Sequence, residues 1–184
     1  MPTMTAPVPE VDEPLGLPGK LLRALGVLTA LVLVLFWIWI FAGGPKKVNR
    51  DRLDDRAYVA RIEPRCQELL TDLKTLTPAE NSGTATERAD VLDQANVMVT
   101  AMVADIEAGA PTGEADADRL KGWFTDWHAY LADREDFAVR LRADPDAQFL
   151  VSENKTLRDS VDKTIEIFAD VNDMPDCATP GDVG

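Results

Sequence analysis

Apolar positions follow two different patterns along this chain. From Ala24 to Ala42 no charged residue interrupts a run of Leu, Val, Ile, Phe and Trp, and its 19 residues would rise about 28 Å as a helix, close to the thickness of a bilayer core. This predicts one membrane-spanning helix, set with its flanks at residues 21–43. Phe36, Trp37, Trp39 and Phe41 crowd its far end, and Lys46 and Lys47 follow, so Trp37, Trp39, Lys46 and Lys47 are the expected membrane-interface residues. A cleaved signal would have a shorter apolar stretch, and Pro45 would stand just after the small residues Ala42–Gly44, blocking peptidase access. A helix apolar on every face would otherwise need a large protein around it, and the remaining chain is too small and too polar for that.

Beyond a linker at 44–55, apolar residues recur at intervals of three and four, the helical period. The first helix carries Ile62, Cys66, Leu69, Leu70, Leu73 and Leu76, with Pro64 tolerable only near its start or at a kink. Pro78, Asn81, Ser82 and Gly83 form a turn. Thr84 and Glu87 have capping-box spacing and introduce Leu92, Ala95, Val99, Met102 and Ile106, in a helix stopping at Gly109. A third helix takes up Leu120, Trp123, Trp127, Tyr130 or Leu131, Arg134, Ala138 and Leu141, and ends by Asp144, before Pro145. A fourth is read through Leu157, Val161, Ile165 and Phe168, closed by Pro175. The expected fold is therefore all-α, a single N-terminal transmembrane helix followed by an up-down four-helix bundle. The bundle spans 56–177, between a disordered, proline-rich cytoplasmic tail at 1–20 and a C-terminal tail at 178–184.

Four antiparallel helices return the chain to the end where it began. Cys66 and Cys177, the only two cysteines, stand near those two places, so a disulfide is expected between them at the membrane-proximal end. By chain entropy a bridge of this span stabilises by about 4 to 5 kcal/mol, and such bridges persist in oxidising compartments.

Charge bears on orientation. Lys20 and Arg23 precede the apolar run, whereas Lys46, Lys47, Arg50, Arg52 and Arg56 follow it, and the positive-inside tendency would put the C-terminal domain in the cytoplasm. Past Arg56, however, 12 Lys and Arg stand against 26 Asp and Glu. A membrane potential negative inside favours exporting that charge. Acidity and cysteine placement agree, so the domain is expected outside the cytoplasmic membrane. The same acidity disfavours nucleic acid as a partner. Lys46, Lys47, Arg50 and Arg52 are expected to rest against anionic lipid headgroups.

No catalytic signature emerges. The single histidine, His128, has Thr125 three residues before it, so the Glu-x-x-His spacing of bundle metal sites is absent, as are HExxH, CxxC, a phosphate loop and a nucleophile elbow. No metal, no cofactor and no enzymatic activity are expected. Glu114, Asp116 and Asp118 alternate, but they open a helix, where acids suit the dipole. Trp123, Trp127, His128 and Tyr130 lie in the richest aromatic stretch of the domain. Core packing accounts for the tryptophans, and an outward face would make the four a partner or ligand patch. Asp133, Arg134, Glu135 and Asp136 read as a solvated face with local ion pairs. Asn154, Lys155 and Thr156 match a glycosylation triplet.

The segments Asp51–Asp55 (DRLDD), Trp127–Asp136 (WHAYLADRED) and Met174–Asp182 (MPDCATPGD) together resemble a group of actinobacterial single-pass membrane proteins to which no activity is assigned. The likeness runs from the anchor to the C-terminus and implies an anchored, exported helical domain. The expected function is a non-enzymatic interaction module, an accessory subunit of an envelope or membrane complex with lipid and another membrane or envelope protein as partners. A small-ligand or cation binding domain is the alternative, and a hydrolytic enzyme would need an unexpected cleft.

Overall fold

The computed structural model describes residues 17–41 and 49–182. Five helices are present among them: α1 (Leu17–Phe41), α2 (Arg56–Leu73), α3 (Ala85–Ala108), α4 (Glu114–Ala143) and α5 (Val161–Val171). The chain divides into two units at Val48–Asn49.

In the first unit, α1 contains a segment, Gly19–Phe41, long and apolar enough to cross a membrane. Its leucines, valines and aromatics are exposed on every face, as expected of a helix whose solvent is lipid. Trp37 stacks on Phe41 one turn on, with centroids 5.8 Å apart. Lys46 and Lys47, residues 42–43 of the expected span and residues 1–16 of the expected tail lie outside the described residues.

In the second unit, four helices share one core. Opposite-running neighbours are evident from their contacts. The Tyr58 hydroxyl near the start of α2 donates to Ile106 O near the end of α3 at 3.0 Å. Arg142 late in α4 pairs with Asp90 and Asp93 early in α3, both at 2.6 Å. Trp123 of α4 stacks on Phe168 of α5, centroids 5.1 Å apart. Asp55 caps α2 by accepting from Tyr58 N at 2.9 Å, and Thr84 caps α3 by accepting from Glu87 N at 3.1 Å, each satisfying a donor that the first helical turn leaves open. The core joins Leu53, Ile62, Leu69, Met102, Ile106, Leu120, Trp127, Ile165 and Met174. A smaller apolar cluster of Ala89, Leu92, Phe137, Ala138 and Leu141 lies at the other end of α3 and α4.

Three expectations are corrected. The linker expected at 44–55 does not extend over its last residues: Leu53 is buried, and Asn172 accepts Leu53 N at 2.7 Å while donating to Asp51 O at 3.0 Å. Pro64 lies well inside α2, so Cys66 sits mid-helix rather than near a helix start. The fourth bundle helix begins at Val161, not Leu157. Residues 153–160 instead form a minimal hairpin, β1 (Glu153–Asn154) against β2 (Asp159–Ser160), with Glu153 opposite Ser160 and Asn154 opposite Asp159. Asn154 makes the turn, its side-chain oxygen accepting from Thr156 N and Leu157 N, both at 3.0 Å. Leu157 is thereby left exposed at the hairpin tip.

Candidate functional site

The expected aromatic patch is not a surface. Trp123, Trp127 and Tyr130 are buried, because α4 packs between α3 and α5 and these positions face both neighbours. Trp127 meets Trp123 and Tyr130 edge-on, at centroid separations of 6.3 and 5.9 Å. His128 points the other way, exposed, and its Nε2 lies 3.0 Å from Glu107 Oε2. The four residues therefore do not present one docking face.

Cys66 and Cys177 are joined by a disulfide with Cα atoms 5.0 Å apart. It fastens the middle of α2 to a 3-10 turn, Pro175–Cys177, that follows α5. Nearby, Glu63 Oε1 accepts Asp176 N at 3.3 Å. Burial raises the Glu63 carboxyl above its ordinary range, more than that hydrogen bond lowers it.

Two of the arginines that follow the apolar helix, Arg52 and Arg56, are occupied within the domain. Arg52 donates to Asp173 Oδ2 at 2.7 Å and to Val171 O at 3.2 Å. Arg56 donates to Asp173 Oδ2 and Asn172 O, both at 2.9 Å. Both cations thus sit at the C-terminal end of α5, where the helix dipole favours positive charge. Asp173, which they share, has φ +59, a left-handed conformation common just past a helix end. The lipid role expected of Arg52 is replaced by this one. Asp116, read as a helix-start charge, is a buried staple: it accepts Asp54 N at 3.0 Å, Asp55 N at 2.8 Å and Arg119 Nη1 at 2.7 Å. Burial alone would raise its carboxyl, but these donors outweigh it and hold the group below its ordinary range.

Two further assignments change. Arg134, expected on a solvated face, is fully buried. Its Nε donates to Asn96 Oδ1 at 2.7 Å, and its two terminal nitrogens clasp both Asp182 oxygens at 2.5 and 2.8 Å. Burial would lower the Arg134 pKa, but the Asp182 carboxylate more than offsets it. The side-chain nitrogen of Asn154, the acceptor position of the glycosylation triplet, is committed in the fold, donating to both Asp126 oxygens at 2.8 and 2.9 Å.

Beside the Arg134–Asp182 pair opens a groove of about 480 Å³, a volume typical of small-molecule sites. One wall is the end of α2 and the turn after it, through Leu70, Leu73, Leu76 and Pro78. Facing them are Val91, Leu92 and Ala95 of α3 and Phe137 of α4, and Pro180–Asp182 close a third side. Lys74 and Arg88 are its cationic lining residues, and Arg88 lies over the Phe137 ring at 5.7 Å. None of Trp123, Trp127, His128 and Tyr130 lines it. The sequence hinted at this site only through Leu70, Leu73 and Leu76, more leucines than one packed face of α2 requires. The third wall could not be seen, because nothing local announces that Asp182 will reach Arg134. Among the described residues no group of three or more His, Cys, Asp and Glu is placed to hold a metal. Comparison with known protein families, curated proteins and solved structures finds no match.

Proposed function

We propose that this chain is a membrane-tethered, non-enzymatic binding module, its helical domain held outside the cytoplasmic membrane as an accessory subunit of an envelope or membrane complex. The four helices from α2 to α5 are read as an up-down bundle, an architecture that commonly builds binding sites between its helices. The groove walled by α2, α3 and the C-terminal segment is taken as the working surface. One observation carries this: an apolar-lined groove of about 480 Å³ opens where Leu70, Leu73 and Leu76 come together with Val91, Leu92 and Phe137.

An external location is supported by the acidity of the domain and by the disulfide, which suits an oxidising compartment. Arg52 and Arg56, two of the five basic residues opposing that orientation, have a structural reason to be where they are, namely Asp173 and the end of α5. The imbalance that remains is Lys46, Lys47 and Arg50 against Lys20 and Arg23.

The test is photocrosslinking in the native cell, with benzoylphenylalanine replacing Val91 in the groove or Ala132 on the exposed face of α4. A discrete mass addition at Val91 and none at Ala132 is expected in intact-protein mass spectra. Equal addition at both positions, or none at Val91, would contradict the assignment.

A further inference from the structure

We infer that residues 178–182 form a releasable strap, latched on Arg134, that controls entry to the groove. The inference rests on the reading of the groove as the working surface and adds what regulates access to it. Past Cys177 these residues adopt no helix or strand, and none of them belongs to either apolar cluster formed by the described residues. Their hydrogen bonds to the helices are polar clasps at the surface of the domain. Thr179 Oγ1 donates to Glu166 Oε1 at 3.2 Å, and Arg134 donates to both Asp182 oxygens at 2.5 and 2.8 Å.

The root of the strap is fixed covalently. Cys177 is bonded to Cys66 in the middle of α2, so opening that begins at Asp182 stops there and leaves α2 to α5 packed. Gly181 has φ +68, with nothing within 4 Å of the place a Cβ would take. A backbone requirement, rather than packing, therefore puts a glycine beside the latch. The closed latch carries a cost of its own. Arg134 is fully buried, and the amide nitrogen of Asn96, whose oxygen accepts Arg134 Nε, is buried without a hydrogen-bond partner among the described residues. Desolvation of the ion and the unpaired donor both favour a state in which water reaches the site. Opening withdraws Pro180, Gly181 and Asp182 from the third side of the groove and bares the guanidinium beside it. A segment with so little apolar packing opens at a free energy below that of global unfolding.

The experiment follows modification of Arg134 by phenylglyoxal in the full chain in phosphatidylcholine nanodiscs, mapped by peptide mass spectrometry at urea concentrations below the unfolding transition. Local opening exposes little surface, so the rate at Arg134 is expected to vary by less than about twofold over that range. A rate that climbs with urea in parallel with global unfolding, or no modification below the transition, would overturn the inference without any variant being needed. G181A keeps both charges but strains the closed strap, and is expected to raise the rate at least about fivefold; an unchanged rate would likewise overturn it. Access is read with benzoylphenylalanine at Val91, whose adduct in cells is expected to rise at least about threefold in the G181A background. An adduct unchanged by G181A while Arg134 modification rises would overturn the strap as a gate and leave the groove as the working surface. No adduct in either background would overturn that surface, and the inference with it.

Discussion

Arg134 is the least expected side chain in the domain: a guanidinium with no exposure, paired with Asn96 and with an acid 48 residues away in sequence. A buried ion is tolerated only when its partners remain. Asp182→Ala should therefore lower stability by about 3 kcal/mol, the low end for breaking a buried pair because Asp182 keeps some exposure. Urea unfolding checks this, and a loss under about 1 kcal/mol would contradict the pairing. Arg134→Met in the same background should recover part of the loss, since it removes the stranded charge. At this scale the sequence was deceptive. Arg134 was correctly placed on the inward stripe with Trp127 and Leu141, yet its acidic neighbours Asp133, Glu135 and Asp136 suggested a solvated run. Asp133 is used instead to hold the chain after α4, accepting Ser152 N and Oγ, both at 2.7 Å.

At the scale of elements, the long helices were legible because their signals are local. The cap at Thr84, the stop at Gly109 and the break before Pro145 all fall where α3 and α4 begin or end. The last helix was misjudged at its start because Leu157 stands four residues before Val161, a helical interval. The Asn154 turn, which requires Asp126 of another helix, interrupts that apparent period. The disulfide was legible because Cys66 and Cys177 are the only two cysteines of the sequence, and they are bonded. It meets α2 in the middle because the chain runs on past α5 before turning back. The bridge closes a loop with a sequence separation of 111 residues. C66A/C177A should cost about 4 to 5 kcal/mol by chain entropy, read as a lower urea midpoint. An unchanged midpoint would show that the denatured chain gains nothing from losing the bridge.

At the scale of the whole molecule, the chain joins an apolar helix of membrane-spanning length to an acidic helical domain that carries a disulfide and an apolar-lined groove. The groove lies toward the end of α2 that leads into α3, while the chain enters the domain at the other end of α2, where Arg52, Arg56 and Asp116 fix the segment. Entry and groove are thus separated by most of the length of an 18-residue helix, about 27 Å at the helical rise. The sequence offers only Leu70, Leu73 and Leu76 as a sign of the groove, because it is assembled from four segments, one of them Pro180–Asp182 at the far end of the domain's sequence.

The most direct test is of sidedness. In an Ala132→Cys variant, whose new thiol lies on the exposed face of α4, intact cells are treated with a membrane-impermeant polyethylene-glycol maleimide and the chain is run on a denaturing gel. The account predicts one addition per chain on intact cells, because the domain is outside and Cys66 and Cys177 are bonded to each other, and three after denaturation with reductant. No addition until the cells are lysed would place the domain in the cytoplasm and contradict the account.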